Sequence, residues 1–351
     1  MSFSIPVYIA LGVGVLLVYV LFTQLGYKDK LKKKSDGVYE VKSLPSTLLL
    51  FCNVVMRMFS GKPKSSTLTP LRYEMNNVDV TPEHVARYIR VCGFSNTKSV
   101  PITYPQLLGF RLQLMLLLDN KFPFKAMGLV HIINRIKQYS ALTVGQKVNV
   151  VVRCGSELIP HEKGLCFDII CEVYSTDSKN PKLLWESSSV YLSRKKHRTP
   201  PNPESLHKSE LSKDDMDNMT DLDEAPWKLP GDLGRKYAAV SEDFNPIHMY
   251  GFTAALFGFS KGCIAHGLWT SARTMATLDK NGDMSSLCDM SKNQFIDYYT
   301  EFKLPIFLPS SVVLMGTKEA RSDGSRFVQV VSAKDKAKPH MKGFVKVVKK
   351  N

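Results

Sequence analysis

Residues Tyr237 to Ala272 read YAAVSEDFNPIHMYGFTAALFGFSKGCIAHGLWTSA, and two helix starts inside this stretch organise the rest of the chain. Asn245-Pro246 has the form of an N-cap followed by proline at the first helical position. That start holds Asp243 on the loop ahead of a helix and places His248 in its first turn, so the two side chains converge. The positive end of a helix disfavours an imidazolium and favours a carboxylate, so His248 is expected neutral and Asp243 ionised. A carboxylate and a neutral imidazole sharing one water form a general acid/base pair. Further on, Ile264-Ala265-His266-Gly267 enters a second helix through a glycine. Its outward N–H makes Gly267 a candidate donor to a developing oxyanion. Together these groups suit addition of water to a conjugated enoyl thioester, or the reverse.

Outward from that stretch, a helix over Ile264–Leu278 precedes β-like runs at 295–302, 311–316, 326–331 and 341–348. The same order stands earlier. An apolar helical stretch, Tyr104–Leu118, precedes runs at 128–139, 147–154, 165–174 and 183–192. This predicts a duplicated α+β unit, about 100–194 and 225–351, in which each antiparallel sheet packs around its own long helix. A polar, proline-bearing linker spans 195–224. Residues 28–99 read as a basic stem and helical lead-in, with Thr81-Pro82-Glu83 starting a helix.

Residues 1–27 carry no charge, and IPVYIALGVGVLLVYVLF (5–22) is long enough to span a bilayer. The following KDKLKKK (28–34) has no positive counterpart before the run, which predicts a single-pass anchor with everything after it cytosolic. The endoplasmic reticulum is the expected organelle. A cleaved signal peptide would need a positive start and a small-residue cleavage site, and both are missing. The apolar stretch 48–55 is too short to span, and predicts a helix lying on the membrane or capping the globular part.

The chain has 351 residues and a net charge of +15. Nine Lys/Arg against three Asp/Glu in 1–64, and seven Lys against one Asp in 334–351, put +12 of that charge at the two ends. With a nearly balanced middle and no zinc-finger, helix-turn-helix or RNA-binding signature, no nucleic-acid partner is predicted. Seven scattered cysteines without a CxxC pair support neither a metal knuckle nor a disulfide framework.

The run Tyr-Ala-x-x-Ser-x-Asp-x-Asn-Pro-Ile-His (237–248), with Gly258-Phe259 and Ile264-Ala265-His266-Gly267, closely resembles the hydratase 2 motif of the MaoC-like (R)-specific enoyl-CoA hydratases and dehydratases. The resemblance implies a double hot dog fold, each unit a long helix wrapped by an antiparallel sheet. It implies Asp243 and His248 as the catalytic pair, Asn245 as the positioning residue and Gly267 as the oxyanion donor. FPFKAMGLVHIINRI (122–136) resembles the amino-terminal half of such proteins, which has lost its catalytic loop. The implied substrate is an acyl thioester on coenzyme A or acyl carrier protein, hydrated reversibly to the (R)-3-hydroxyacyl thioester. No metal or redox cofactor is implied, and a homodimer is compatible. Glu242 stands where the family usually carries glycine. A positive φ there would strain it, and a second carboxylate would raise the Asp243 pKa.

Around this pair, Tyr237 and Ser241 either line the site or brace its loop. His266 reads as structural, holding the loop before the helix, or as a substrate contact. Phe252 and Phe257, with Phe124 and Met127, border an acyl tunnel or are plain core. His131 reads as a satisfied core or interface residue. Two rivals to an enzyme remain: a catalytically silent acyl-thioester-binding or scaffold protein, and a membrane-surface protein working through its basic ends.

Overall fold

A computed structural model describes residues 30–59, 67–95, 99–194, 218–280, 294–317 and 320–349. The proposed membrane segment at 5–22 lies outside these residues, and among them no helix is long and apolar enough to cross a membrane.

The chain begins with strands β1 (Leu31–Ser35) and β2 (Val38–Val41), helix α1 (Thr47–Phe59) and strand β3 (Arg72–Asp79). Helices α2 (Pro82–Cys92), α3 (Pro105–Leu108) and α4 (Phe110–Leu117) follow. Then come β4 (Val130–Gln138), β5 (Lys147–Cys154), β6 (Ile159–His161), β7 (Gly164–Tyr174) and β8 (Leu183–Ser193). The second half opens with β9 (Met219–Asp221) and β10 (Trp227–Leu229), then α5 (Leu233–Ser241), α6 (Pro246–Met249), α7 (Gly251–Ala255) and α8 (Gly267–Lys280). It closes with β11 (Gln294–Phe302), β12 (Ser310–Thr317), β13 (Arg326–Ser332) and β14 (Pro339–Lys349).

All fourteen strands share one sheet, ordered β1-β2-β3-β5-β7-β8-β4-β11-β14-β13-β12-β10, with β6 on β7 and β9 on β12. The duplication is exact in topology: β3-β5-β7-β8-β4 in the first half is matched by β10-β12-β13-β14-β11 in the second. The expected pair of separate sheets is corrected, because β4 and β11 pair antiparallel from Ile133↔Glu301 to Gln138↔Ile296 and fuse the two. At the seam Arg135 grips Asp297 through Nε–Oδ1 at 2.8 Å and Nη2–Oδ2 at 2.5 Å. Asp297 is 2% exposed, so this pair crosses the seam largely out of water.

The first unit begins well before residue 100, correcting the basic stem. Lys32 to Lys34 belong to β1, an edge strand whose exposed lysines discourage further pairing. β3 pairs with β5, burying Tyr73 between polar neighbours. β2 and β3 are parallel, which demands a crossover, and α1 is that crossover. The apolar stretch 48–55 therefore caps the globular part: Leu49, Leu50 and Val54 are buried, while Leu48 and Val55 face outward. The end of the expected linker is likewise strand, since Met219–Asp221 pairs with Met315–Thr317; residues 195–217 lie outside the described residues.

The helix expected over 104–118 is broken at Gly109. A Cβ there would lie 2.4 Å from Cys171 Sγ, so glycine lets α3 and α4 settle on the sheet at the cost of continuity. The α8 helix is unbroken, and one apolar cluster joins both units beneath the helices. Five cysteines are buried and Cys52 is half-buried, all as thiols; Cys288 lies outside the described residues.

The Arg135–Asp297 pair yields a test. Replacing Arg135 by Met leaves a carboxylate stranded at the seam, and should lower stability by about 3 kcal/mol in denaturant unfolding. Replacing both partners by apolar residues should restore most of that loss.

Candidate active site

Helix α5 ends at Ser241, and Glu242 turns the chain with φ 62° and ψ 12° while its N–H donates to Ala238 O at 2.8 Å. The left-handed turn aims Asp243 back towards α6. Asp243 N–H donates to Ser241 Oγ at 3.3 Å, and Asn245 N–H donates to Asp243 Oδ1 at 3.2 Å. Asn245 Oδ1 accepts from Ile247 N–H at 3.4 Å, the cap its sequence predicts. Asn245 therefore positions the loop twice, through its own N–H and through its side chain.

His248 is buried in α6, with Nδ1 2.8 Å from Ile264 O. A carbonyl only accepts, so Nδ1 carries the proton and Nε2 presents a lone pair. The ring stacks on His266 with centroids 3.7 Å apart. His266 in turn donates from Nε2 to Asp243 O at 3.0 Å, which leaves its Nδ1 buried and unpartnered among the described residues. One ligating atom from each of Asp243, His248 and His266 lies within 4.8 Å of the others. The two imidazoles are only 24° from parallel, so their free lone pairs run in near-parallel planes and do not converge on one ion. The cluster fits proton handling better than a tetrahedral metal site.

Burial sets the charge states. It raises the Asp243 carboxyl above its ordinary 3.8, opposed by His248 and the Asn245 N–H. It lowers His248 below 6.5, opposed by Asp243 and the Ile264 carbonyl. His266 is pushed far down by burial and then by His248. The neutral imidazole expected from a helix end is thus present, but desolvation produces it, since α6 is only four residues long. For Asp243 the expected stabilisation of the charged form is reversed. Glu242 has the positive φ anticipated for it, yet its carboxylate does not act on Asp243; it pairs with Arg111 Nε at 2.6 Å.

Gly267 begins α8, where the first N–H groups have no intrahelical acceptor. A second reason for glycine is steric: a Cβ would come within 2.9 Å of the Phe302 ring. Tyr237 is buried with its ring 4.9 Å from His266, and Ser241 holds the Asp243 amide, so both brace the site. Phe252 is not a tunnel wall: it is 73% exposed and stacks on Tyr250 at the surface. Phe257 is half-buried beyond α7. Phe124 is core, stacked 5.1 Å from Phe167, and Met127 is half-buried in the loop before β4. His131 is not satisfied, since Nε2 is buried without a partner among the described residues. A β-bulge between His131 and Ile133 lays its ring on Tyr191, at 4.7 Å, and against Phe302. Burial lowers His131 to about 4.

Several contributors escaped sequence reading. His84 of α2 bonds Val240 O at 2.8 Å and Tyr104 Oη at 2.9 Å, tying α5 to the first unit. Gln113 of α4 donates to Tyr191 Oη at 2.7 Å, and Tyr191 is close enough to Asp243 to feel its charge. Phe244 meets Phe51 edge-on, laying α1 over the loop. Gly234 in α5 admits the α6 backbone, because a Cβ there would lie 2.0 Å from His248 O. A glycine inside a helical run is the one available signal for that contact.

Residues 220–340 match the MaoC like domain. The chain is 30% identical over 264 residues to 3-hydroxyacyl-thioester dehydratase X of Mycobacterium tuberculosis, covering 75% of this chain and 84% of that one. The crystal structure of HtdX from the same organism superimposes with TM-score 0.59 at 27% identity, over 78% of this chain and 98% of that one. A MaoC-like dehydratase from Phytophthora capsici shares the fold, with TM-score 0.61 at 15% identity over 80% and 95% of the two chains.

The Gly234 contact can be probed directly. Gly234→Ala should push α6 and His248 from Asp243, lowering kcat at least about tenfold while far-ultraviolet circular dichroism stays unchanged. Activity at the unsubstituted level would show that α6 can shift without cost.

Proposed function

Since the chain belongs to the MaoC-like dehydratase family and is a hydro-lyase, we propose that its second unit interconverts trans-2-enoyl thioesters and (R)-3-hydroxyacyl thioesters at Asp243 and His248. The carrying observation is the free Nε2 of a buried, neutral His248 beside the Asp243 carboxylate. In hydration the water oxygen bonds to C3 while its proton passes to this pair. The pair delivers a proton to Cα, so the enzyme ends as it began. Electron density moves onto the thioester oxygen, for which Gly267 N–H is the proposed donor. The substrate's own carbonyl is the electron sink, so the chemistry requires no redox cofactor. His266 holds the loop through Asp243 O.

The reading includes a membrane anchor at 5–22, supported by its uncharged apolar length and the lysines after it. Such an anchor would present the site to acyl thioesters at a cytosolic membrane face. A shortened chain for solution work should begin before Leu31, because β1 is part of the sheet.

Crotonyl-CoA hydration, followed by loss of enoyl absorbance, is the test. Asp243→Asn should reduce kcat by about 10²–10⁴-fold. No turnover by the unsubstituted protein at any acyl length would overturn the reading. Catalysis needs both groups unprotonated at rest. Burial raises the Asp243 carboxyl, so the acid limb of kcat/KM should lie above the ordinary carboxylate value of 3.8, with activity lost as pH falls through it. A limb at or below 3.8 would contradict the raised Asp243 carboxyl.

A further inference from the structure

Resting on that reading, we infer that Arg111 of the first unit is a positioning residue for catalysis in the second, clamping Glu242 so that Asp243 can serve as a base. Three observations meet at this point. Glu242 adopts φ 62°, a conformation that glycine takes freely and that strains residues carrying a Cβ. It immediately precedes Asp243, so any relaxation of its backbone turns the carboxylate away from His248. Its own carboxylate would also add a second negative charge beside the half-buried Asp243, were nothing to engage it.

Arg111 answers both demands. It projects from α4, the central helix of the unit that has no Asp-x-Asn-Pro-x-His sequence, and its Nε contacts Glu242 Oε2 at 2.6 Å. Its Nη1 donates to Pro45 O at 3.3 Å, just ahead of α1, so one guanidinium ties the lead-in, α4 and the catalytic loop. Both partners are about a third exposed, so the net energy of the bond in isolation is small. What the pair provides is geometry: a side chain anchored on a rigid helix restrains the residue whose torsion aims the base. The same helix sends Gln113 to Tyr191, so α4 supports the second unit's site at two points. The groups facing Asp243 are accordingly His248 on α6, His266 ahead of α8, Tyr191 on β8, Tyr237 on α5, and the Arg111–Glu242 pair.

This makes Arg111 necessary only because position 242 is not glycine, which gives the test its form. On crotonyl-CoA, with each variant verified folded by thermal melting, Arg111→Met should lower kcat about tenfold with KM changed less than twofold. Glu242→Gly removes both the torsional demand and the extra charge, so Arg111→Met in a Glu242→Gly background should cost less than threefold. That recovery distinguishes positioning from general scaffolding, which glycine at 242 would not relieve. Equal losses in both backgrounds, or full activity of Arg111→Met alone, would overturn the inference. If Arg111→Met does not fold by itself, the comparison within the Glu242→Gly background decides in the same way, a loss above threefold being contrary. Turnover by the unsubstituted protein reports separately on the underlying reading.

Discussion

The antiparallel ladder between β4 and β11 is the contact on which the rest of this molecule depends. Each half repeats the same strand order around its own helix, and each alone would end in an open edge at this position. Pairing the two edges removes both at once and brings the first unit's helices against the second unit's loops. Arg135–Asp297 and the Thr300 hydroxyl bonded to Asn134 O give the seam a polar register. A slip by one residue would turn Asp297 away from its guanidinium.

Fusion of this kind lets one half lack the Asp-x-Asn-Pro-x-His sequence and still support the candidate site in the other. The second unit holds Asp243, His248 and His266 on short elements: a left-handed turn, a four-residue helix and the approach to α8. Such elements have little cooperative rigidity of their own. Their stiffness comes from outside, through His84 on Val240 O, Arg111 on Glu242, Phe51 on Phe244 and the Gly234 contact beneath α6. Three of these four supports come from the first unit or its lead-in.

Desolvation is the second constraint. At the candidate site it makes the carboxyl more basic and the imidazole less so, shifting the two groups in opposite directions. The tautomer of His248 follows from the Ile264 carbonyl, without any charged partner.

From the sequence alone came the duplication, eight of the strands nearly to the residue, the Asn245 cap and the pairing of Asp243 with His248, because apolar period and capping chemistry are local properties. The resemblance raises a positive φ at Glu242 only as a condition, which the turn after α5 meets. Tertiary structure decided the rest. The lysine-rich β1, at the sheet edge, and the polar β3, paired on both sides by β2 and β5 with most of its side chains only partly buried or exposed, carry no alternating apolar signal. Phe252 is an aromatic residue that no element covers among the described residues, which local sequence does not reveal. The single sheet, the Arg111 clamp and the charge states depend on residues far apart in the chain, and only their folding together sets the distances and the dielectric on which those features rest.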